Sequence, residues 1–332
     1  MIAFLLFLAA AAQPVPDLQG TWTNGFATPL ERPRDLGDKA FYTGAEVAAF
    51  EKQVSERPGP ANDPVADPEI WWERGTRAVA TRRTSMVVDP PDGRVPALTP
   101  AARKRMADAR AETRKHPDSG PEDRSLMERC IVSPAAGPVP MLPGPYNNNY
   151  QIVQTPGYLI IVVEMIHDVR IIPIDSSPHP QSGVRQWLGD SRGHWEGETL
   201  VVDTTNFTDR TRFRGSDENL HVTERFTRTA PNTLLYRFTI DDPTAFTKPW
   251  TAEIPMITSD GPMYEFALPR RQCGVGQHAE HRQTRRKSGE EVVTGTADLR
   301  RRRCSMPHPA GRDHSQAQPA ESDRLRQPDS VP

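Results

Sequence analysis

The sequence predicts a mainly β protein, an antiparallel barrel or sandwich with a helical, loop-rich N-terminal region and a disordered C-terminal tail. Three observations carry this expectation. From residue 150 to 267, short runs rich in β-branched and aromatic residues follow one another closely. Turn chemistry separates them, as in Thr155-Pro156-Gly157, Ala230-Pro231-Asn232 and Ser259-Asp260-Gly261. No helical pattern alternates with the runs, which argues against a parallel α/β sheet.

The elements follow in order. Ile2 to Ala9 is an apolar run, and Ala10-Ala11-Ala12 offers a small-residue cleavage site before Gln13. The run is too short to cross a bilayer and reads as a signal peptide over residues 1–12. Periplasmic or secreted localisation is therefore expected, with no membrane insertion after cleavage. Gly20-Thr21-Trp22 resembles the G-x-W that opens lipocalin-like barrels, where the Trp plugs one end. Thr43 and Glu46 form a capping box that starts a helix near 44–56. Thr84–Val88 reads as a short strand, and Thr99-Pro100 caps a helix over 100–114. This region, 13–145, is expected to wrap the β domain of 146–267. Strands are predicted at Tyr150–Thr155, Tyr158–Glu164, Asp168–Ile174, Thr199–Thr204, His221–Arg228, Thr233–Ile240, Thr251–Ile257 and Met263–Ala267.

Charge and aromatic content divide the chain near Ala267. Residues 268–332 hold 13 Lys+Arg against 8 Asp+Glu, which leaves −7 on the first 267 of a chain with net charge −2. All of the Phe, Tyr and Trp also lie before residue 268. A segment without aromatics and rich in Arg, Pro, Gln and Ser buries too little surface to offset chain entropy, so a disordered basic tail is expected. Arg300–Arg303 looks like a nucleic-acid patch, but such a footprint belongs on a charged face of a folded domain, and no nucleic-acid partner is expected. There is no dinucleotide fingerprint, P-loop, G-x-S-x-G elbow or H-E-x-x-H pair, and no cofactor is implied.

The centre of the chain resembles a large family of uncharacterised, exported bacterial proteins that share a W-x-G-x-S-x-G-x-W-E-G-D-T-L-V-V core. The matching residues are Trp187, Gly189, Ser191, Gly193, Trp195-Glu196-Gly197 and Thr199-Leu200-Val201-Val202, with Glu198 in place of the usual Asp. The stretches Pro143–Tyr158, Glu164–Pro173, Arg214–Arg228 and Ile240–Met256 are similar as well. The resemblance implies export but brings no activity. It also implies a Cys-His-Glu-Gly-Asn stretch after the last strand. Leu268–Thr284 can be back-translated so that a shift of one base spells that stretch, so 268–332 reads as a frame-shifted tail. Cys273 and Cys304 lie in it, which leaves Cys130 alone. The Cys of the restored stretch would be its partner in a disulfide worth about 2–4 kcal/mol.

Two groups of residues are candidates for chemistry. In the shared core, Gly189, Gly193 and Gly197 suit tight reversals, with Trp187 and Trp195 either plugging the core or forming an aromatic platform beside Glu196. Asp190, Arg192 and His194 look variable across the resembling proteins and are discounted. In the second group, a regular strand would place Glu164 and Asp168 on one face with Ile160, Val162 and Ile166, where two carboxylates in an apolar barrel would raise each other's pKa. A bend at Ile166-His167 would instead bring His167 to Glu164. Asn148 and Tyr150, in an amide-rich loop, suit either hydroxyl binding or local turns. His167, His179, His194 and His221 lack metal-ligand spacing, so no metal is expected. The leading expectation is binding of a small glycoside- or polyphenol-like molecule. The alternatives are a cofactor-free hydrolase, lyase or isomerase using Glu164, His167 or Glu196 for proton transfer, and a structural cell-envelope module.

Overall fold

The computed structural model describes residues 15–57, 75–115, 120, 124–133 and 139–264. The signal peptide and the tail expected at the two ends lie outside the described residues, as do Cys273 and Cys304. Among the described residues no helix is long and apolar enough to cross a membrane.

The fold is a nearly closed antiparallel barrel. Its strands are β1 (Gly20–Thr23), β2 (Val87–Asp89), β3 (Asn149–Thr155), β4 (Tyr158–Val163), β5 (Val169–Pro173), β6 (Asp190–Glu196), β7 (Thr199–Thr205), β8 (His221–Ala230), β9 (Thr233–Asp241) and β10 (Trp250–Thr258). Nine of them run in the order β5-β4-β3-β1-β10-β9-β8-β7-β6. One edge of β10 pairs with β9 throughout. The other edge is shared, with β1 on Ile257 and Thr258 and β2 on Thr251 and Ala252.

Alternation decides which faces are buried. On β9 the residues Leu234, Tyr236, Phe238 and Ile240 point inward, and Val222, Glu224 and Phe226 do so on β8. All of these but Glu224 belong, with Leu200, Val202, Ile254, Met256, Leu159, Ile161 and Trp22, to one hydrophobic cluster that fills the barrel with side chains. Trp22 is fully buried, donates from Nε1 to the Leu18 carbonyl at 3.0 Å, and has the Arg228 guanidinium over its ring at 5.3 Å. Trp22 is therefore a buried member of the core.

The N-terminal region attaches through defined contacts. Helix α1 (Gly44–Ser55) starts at the expected capping box, with Glu46 N donating to Thr43 Oγ1 and Thr43 N to Glu46 Oε2. Helix α2 (Pro100–Lys115) is capped by Thr99, whose hydroxyl accepts from Ala102 N and donates to the Thr244 carbonyl just before β10. Ala102 is fully buried in the same core.

A polar network crosses the middle of this apolar interior. Arg170 of β5 forks onto Glu224 of β8, at 3.0 Å to Oε1 and 2.6 Å to Oε2, and both side chains are buried. Arg170 also donates to Ser191 Oγ at 3.0 Å, and Tyr236 donates to Glu224 Oε1 at 2.8 Å. The Tyr236 oxygen in turn accepts from Met141 N at 3.0 Å, tying the N-terminal wrapping to the barrel centre. Burial, and then the nearby Glu224 charge, push the Tyr236 hydroxyl well above its ordinary range, so it stays a donor.

Several expectations change in detail. Gly189 and Gly197 do reverse the chain, with φ of 69° and 59° at the two ends of β6. Gly193 does not. It sits in mid-strand, where an added Cβ would lie 3.3 Å from Ile172 Cγ2 and 3.4 Å from the Pro173 carbonyl, so its role is to admit β5. The strand predicted from Met263 has no counterpart at Met263 and Tyr264, and 265–267 lie outside the described residues.

Candidate functional site

The barrel's seam lies between β5 and β6, the two ends of the hydrogen-bonded order. Side chains stitch it, through Arg170 to Ser191 and through the close approach at Gly193. At the start of both strands the seam opens into a cleft of about 550 Å³. Asp168, Arg170, Ile171, Trp187, Asp190 and Ser191 are among its lining residues. The volume is that of a small-molecule site.

Asp168 gives this cleft its chemistry. It precedes β5 in register with the inward Arg170 and Ile172, and its Oδ2 is buried without a hydrogen-bond partner among the described residues. Burial pushes its carboxyl up to about 6, against the opposing pull of His167. Trp187 is held nearby because its stretch is anchored to the segment after β7. Gln186 N donates to the Asn206 carbonyl at 3.0 Å, and Thr211 Oγ1 donates to the Trp187 carbonyl at 2.8 Å. Gly189 makes this anchoring possible, since a Cβ there would lie 2.5 Å from the Thr205 carbonyl oxygen.

The structure brings together only some of the sequence candidates. Asp168 and Trp187 share the seam cleft. Glu164 is buried but committed, accepting from Asn149 N at 3.2 Å, Asn149 Nδ2 at 2.9 Å and Tyr264 N at 2.9 Å. It does not continue an inward strand face, because the inward residues of β4 are Leu159, Ile161 and Val163. A 3-10 turn over Met165–His167 then breaks the alternation, with φ of 61° at Ile166 and 47° at His167. The bend falls where a sequence reading allowed it, yet His167 is left exposed. Burial, rather than the neighbouring carboxylate, is what raises Asp168.

The remaining candidates have structural partners. Glu196 is the last residue of β6, six residues and roughly 20 Å along the strand from Asp190 at the cleft. It is exposed, and bonds from Arg225 (2.6 Å) and then His194 (3.2 Å) hold its carboxyl below the usual range. Trp195 faces inward and packs partly buried against the core. Asn148 folds onto its own loop, accepting from Gly144 N at 2.7 Å and donating to the Gly144 carbonyl at 3.1 Å. Tyr150 is fully buried, and burial raises its hydroxyl far above the ordinary value.

Sequence reasoning passed over Arg170 and Glu224, although a signal existed. Glu224 alternates with Val222 and Phe226, and Arg170 with Ile172, so both charges occupy inward positions. It also discounted Asp190, which lines the cleft and accepts from Arg192 Nε at 2.7 Å and Arg192 Nη2 at 3.0 Å.

A second cleft, of about 580 Å³, lies between α2 and residues 212–217. Its charged walls are largely tied to one another or to near neighbours, as in Arg105–Asp217 at 3.1 Å, Arg214–Glu31 at 3.3 Å and Lys104–Asp108 at 2.6 Å. The seam cleft is the stronger candidate because it holds a half-buried carboxyl beside an aromatic wall. Among the described residues no cluster of His, Cys, Asp and Glu is arranged to hold a metal ion. No family model, curated protein or solved structure matches the chain.

Proposed function

We propose that this is an exported bacterial protein of the resembling family, and that it binds a small organic molecule at the seam between β5 and β6. One observation carries the binding site: the Asp168 carboxyl, raised to about 6 and with Oδ2 unpartnered, lines a 550 Å³ cleft together with Trp187. A hydroxyl-bearing, partly aromatic ligand suits such a wall, its ring against the indole and its hydroxyl on the carboxyl. The filled interior argues for the seam over the barrel lumen as the place of binding. Export rests on the apolar N-terminus and on the family resemblance.

The test is titration with aryl glycosides and with catechin, followed by calorimetry. Asp168→Asn and Trp187→Ala are each expected to weaken binding at least fivefold, while Glu196→Gln and Trp195→Phe leave it unchanged. Equal affinity in all four variants would place the ligand elsewhere. Absence of binding at millimolar concentration across the panel would overturn the ligand class.

An enzymatic reading is favoured by the same carboxyl, since a group titrating near 6 serves as a general acid at neutral pH. In that reading Asp168 takes the role that the sequence assigned to Glu164, His167 or Glu196. Turnover of any bound glycoside that is lost in Asp168→Asn, with binding retained in Asp168→Glu, would establish it.

A further inference from the structure

Residues 174–189 join β5 to β6, and the first half of this connection lies against the outer wall of the barrel through side chains. His179 is the centre of that attachment. Its Nδ1 meets Asp190 Oδ1 of β6 at 2.7 Å, and its Nε2 meets Asp203 Oδ1 of β7 at 2.8 Å. The other oxygen of Asp203 meets His221 Nε2 of β8 at 2.5 Å. One imidazole therefore spans two strands and shares a carboxylate with a second imidazole on a third.

Both nitrogens of His179 face carboxylate oxygens, which accept and cannot donate when ionised. A neutral imidazole has one N–H and satisfies one of these contacts, while its bare nitrogen lone pair confronts the other carboxylate. Only the protonated ring makes both bonds. We propose that His179 is a pH-operated latch, which in its protonated form pins residues 174–184 across β6 and β7 and releases them on deprotonation. The latch requires no ligand and stands whatever the seam cleft binds.

The surrounding charges support this assignment from every side. Asp190 and Arg192 face His179 from β6, Asp203 from β7 and His221 from β8, with Asp241 of β9 behind His221. On the connection itself, Asp175 lies near Arg192, and Ser177 Oγ accepts from Arg192 at 2.7 Å. When both imidazoles are neutral, Asp190 and Asp203 keep only Arg192 as a compensating cation. The direct ties that do not titrate are Arg192 to Ser177, Asn206 Nδ2 to the Pro180 carbonyl at 3.1 Å, and Ile174 N to the Gly157 carbonyl at 2.8 Å, so His179 carries the pH-dependent part of the attachment.

Two neighbours add a pH dependence of their own. The bond to Asp203 raises His221 above its ordinary 6.5, so its contribution is complete below that value and is lost as pH rises through the raised one. Burial lifts Asp203, but the bonds from His221 and His179 outweigh it and hold the carboxyl below 3.8. The contribution of Asp203 is present above 3.8 and fails only as pH falls through the lowered value. Because only the protonated ring bonds both carboxylates, the latch is closed while His179 is protonated and opens on its deprotonation.

Hydrogen exchange read by mass spectrometry on the full chain tests the latch. Protection of peptides within 174–184, corrected for the intrinsic pH dependence of exchange, is compared at pH 5.5 and 8.5. Wild-type protection is expected to fall about tenfold at the higher pH. His179→Ala is expected to be poorly protected at both values, and His221→Gln to retain most of the pH response. Unchanged wild-type protection, or wild-type-like protection in His179→Ala, would overturn the proposal. So would a parallel loss in β8–β10 peptides, because general unfolding would then account for the response. As a check that needs no variant, nitrogen NMR of the imidazoles should find His179 doubly protonated at pH 5.5. A bare ring nitrogen at that pH also overturns the latch.

Discussion

The ion pair at the barrel centre invites a direct test of how the fold tolerates a buried charge. Glu224→Gln keeps an oxygen for Tyr236 but removes the negative charge from Arg170, a residue only 3% exposed. Arg170 then loses its bidentate carboxylate, while the neutral acceptors Ser191 at 3.0 Å and Thr204 at 3.4 Å remain. Removing one partner of such a pair costs about 3–5 kcal/mol, because the remaining charge is left uncompensated in a low dielectric. In a domain of this size that corresponds to a Tm lower by roughly 6–20 °C. The assay is urea and thermal unfolding of the wild type, Glu224→Gln, the single variants Arg170→Met and Glu224→Leu, and their double variant. The double variant should recover at least about 2 kcal/mol relative to the sum of the singles, since two apolar side chains need no compensation. A Glu224→Gln protein within about 1 kcal/mol of wild type would refute the reasoning, as would strict additivity.

Three further outcomes follow from single positions. Asp168→Asn should raise the Tm at pH 7.5 and make no difference near pH 4, because burial penalises only the ionised carboxyl, whose stabilising protonated form is lost as pH rises from 3.8 through about 6; a difference independent of pH would rule this out. Gly189→Ala should destabilise by roughly 1–3 kcal/mol, from its φ of 69° and the 2.5 Å approach to the Thr205 carbonyl, whereas Gly183→Ala, with open space around it, should be silent in the same denaturant titration. Glu196→Gln should leave Tm unchanged, since its partners Arg225 and His194 are also on the surface.

The strands that alternate cleanly were legible from sequence. Thr199–Thr205, Thr233–Asp241 and both helices fall within one or two residues of the expected bounds, because apolar period and capping chemistry agree there. β6 was harder to read. Its inward positions are Ser191, Gly193 and Trp195, so the alternation carries no apolar signal until its end, and the glycines mimic a turn. The site was half legible. Asp168 and Trp187 could be picked out as residue types, but their meeting depends on the order of the sheet, which brings β5 beside β6 only after the remaining strands have been laid down. Glu164 misled for a local reason: the odd residues Leu159, Ile161 and Val163 face inward on β4, and the 3-10 turn at Met165–His167 switches the inward positions to the even residues Arg170 and Ile172 of β5.

The shared edge of β10 bears on how this chain is made. The ladder that joins Trp22 to Thr258 links the start of the fold to its last strand, and β2 docks on the same edge. A ribosome must therefore deliver almost the whole barrel before its first strand finds both neighbours. Until then β9 and β1 each present an unpaired row of amides and carbonyls, the kind of surface that recruits other chains. A nonsense codon upstream of Trp250 would yield an open, adhesive sheet and not a smaller barrel, and a cell would have to keep the nascent polypeptide extended or chaperoned until Thr258 is in place.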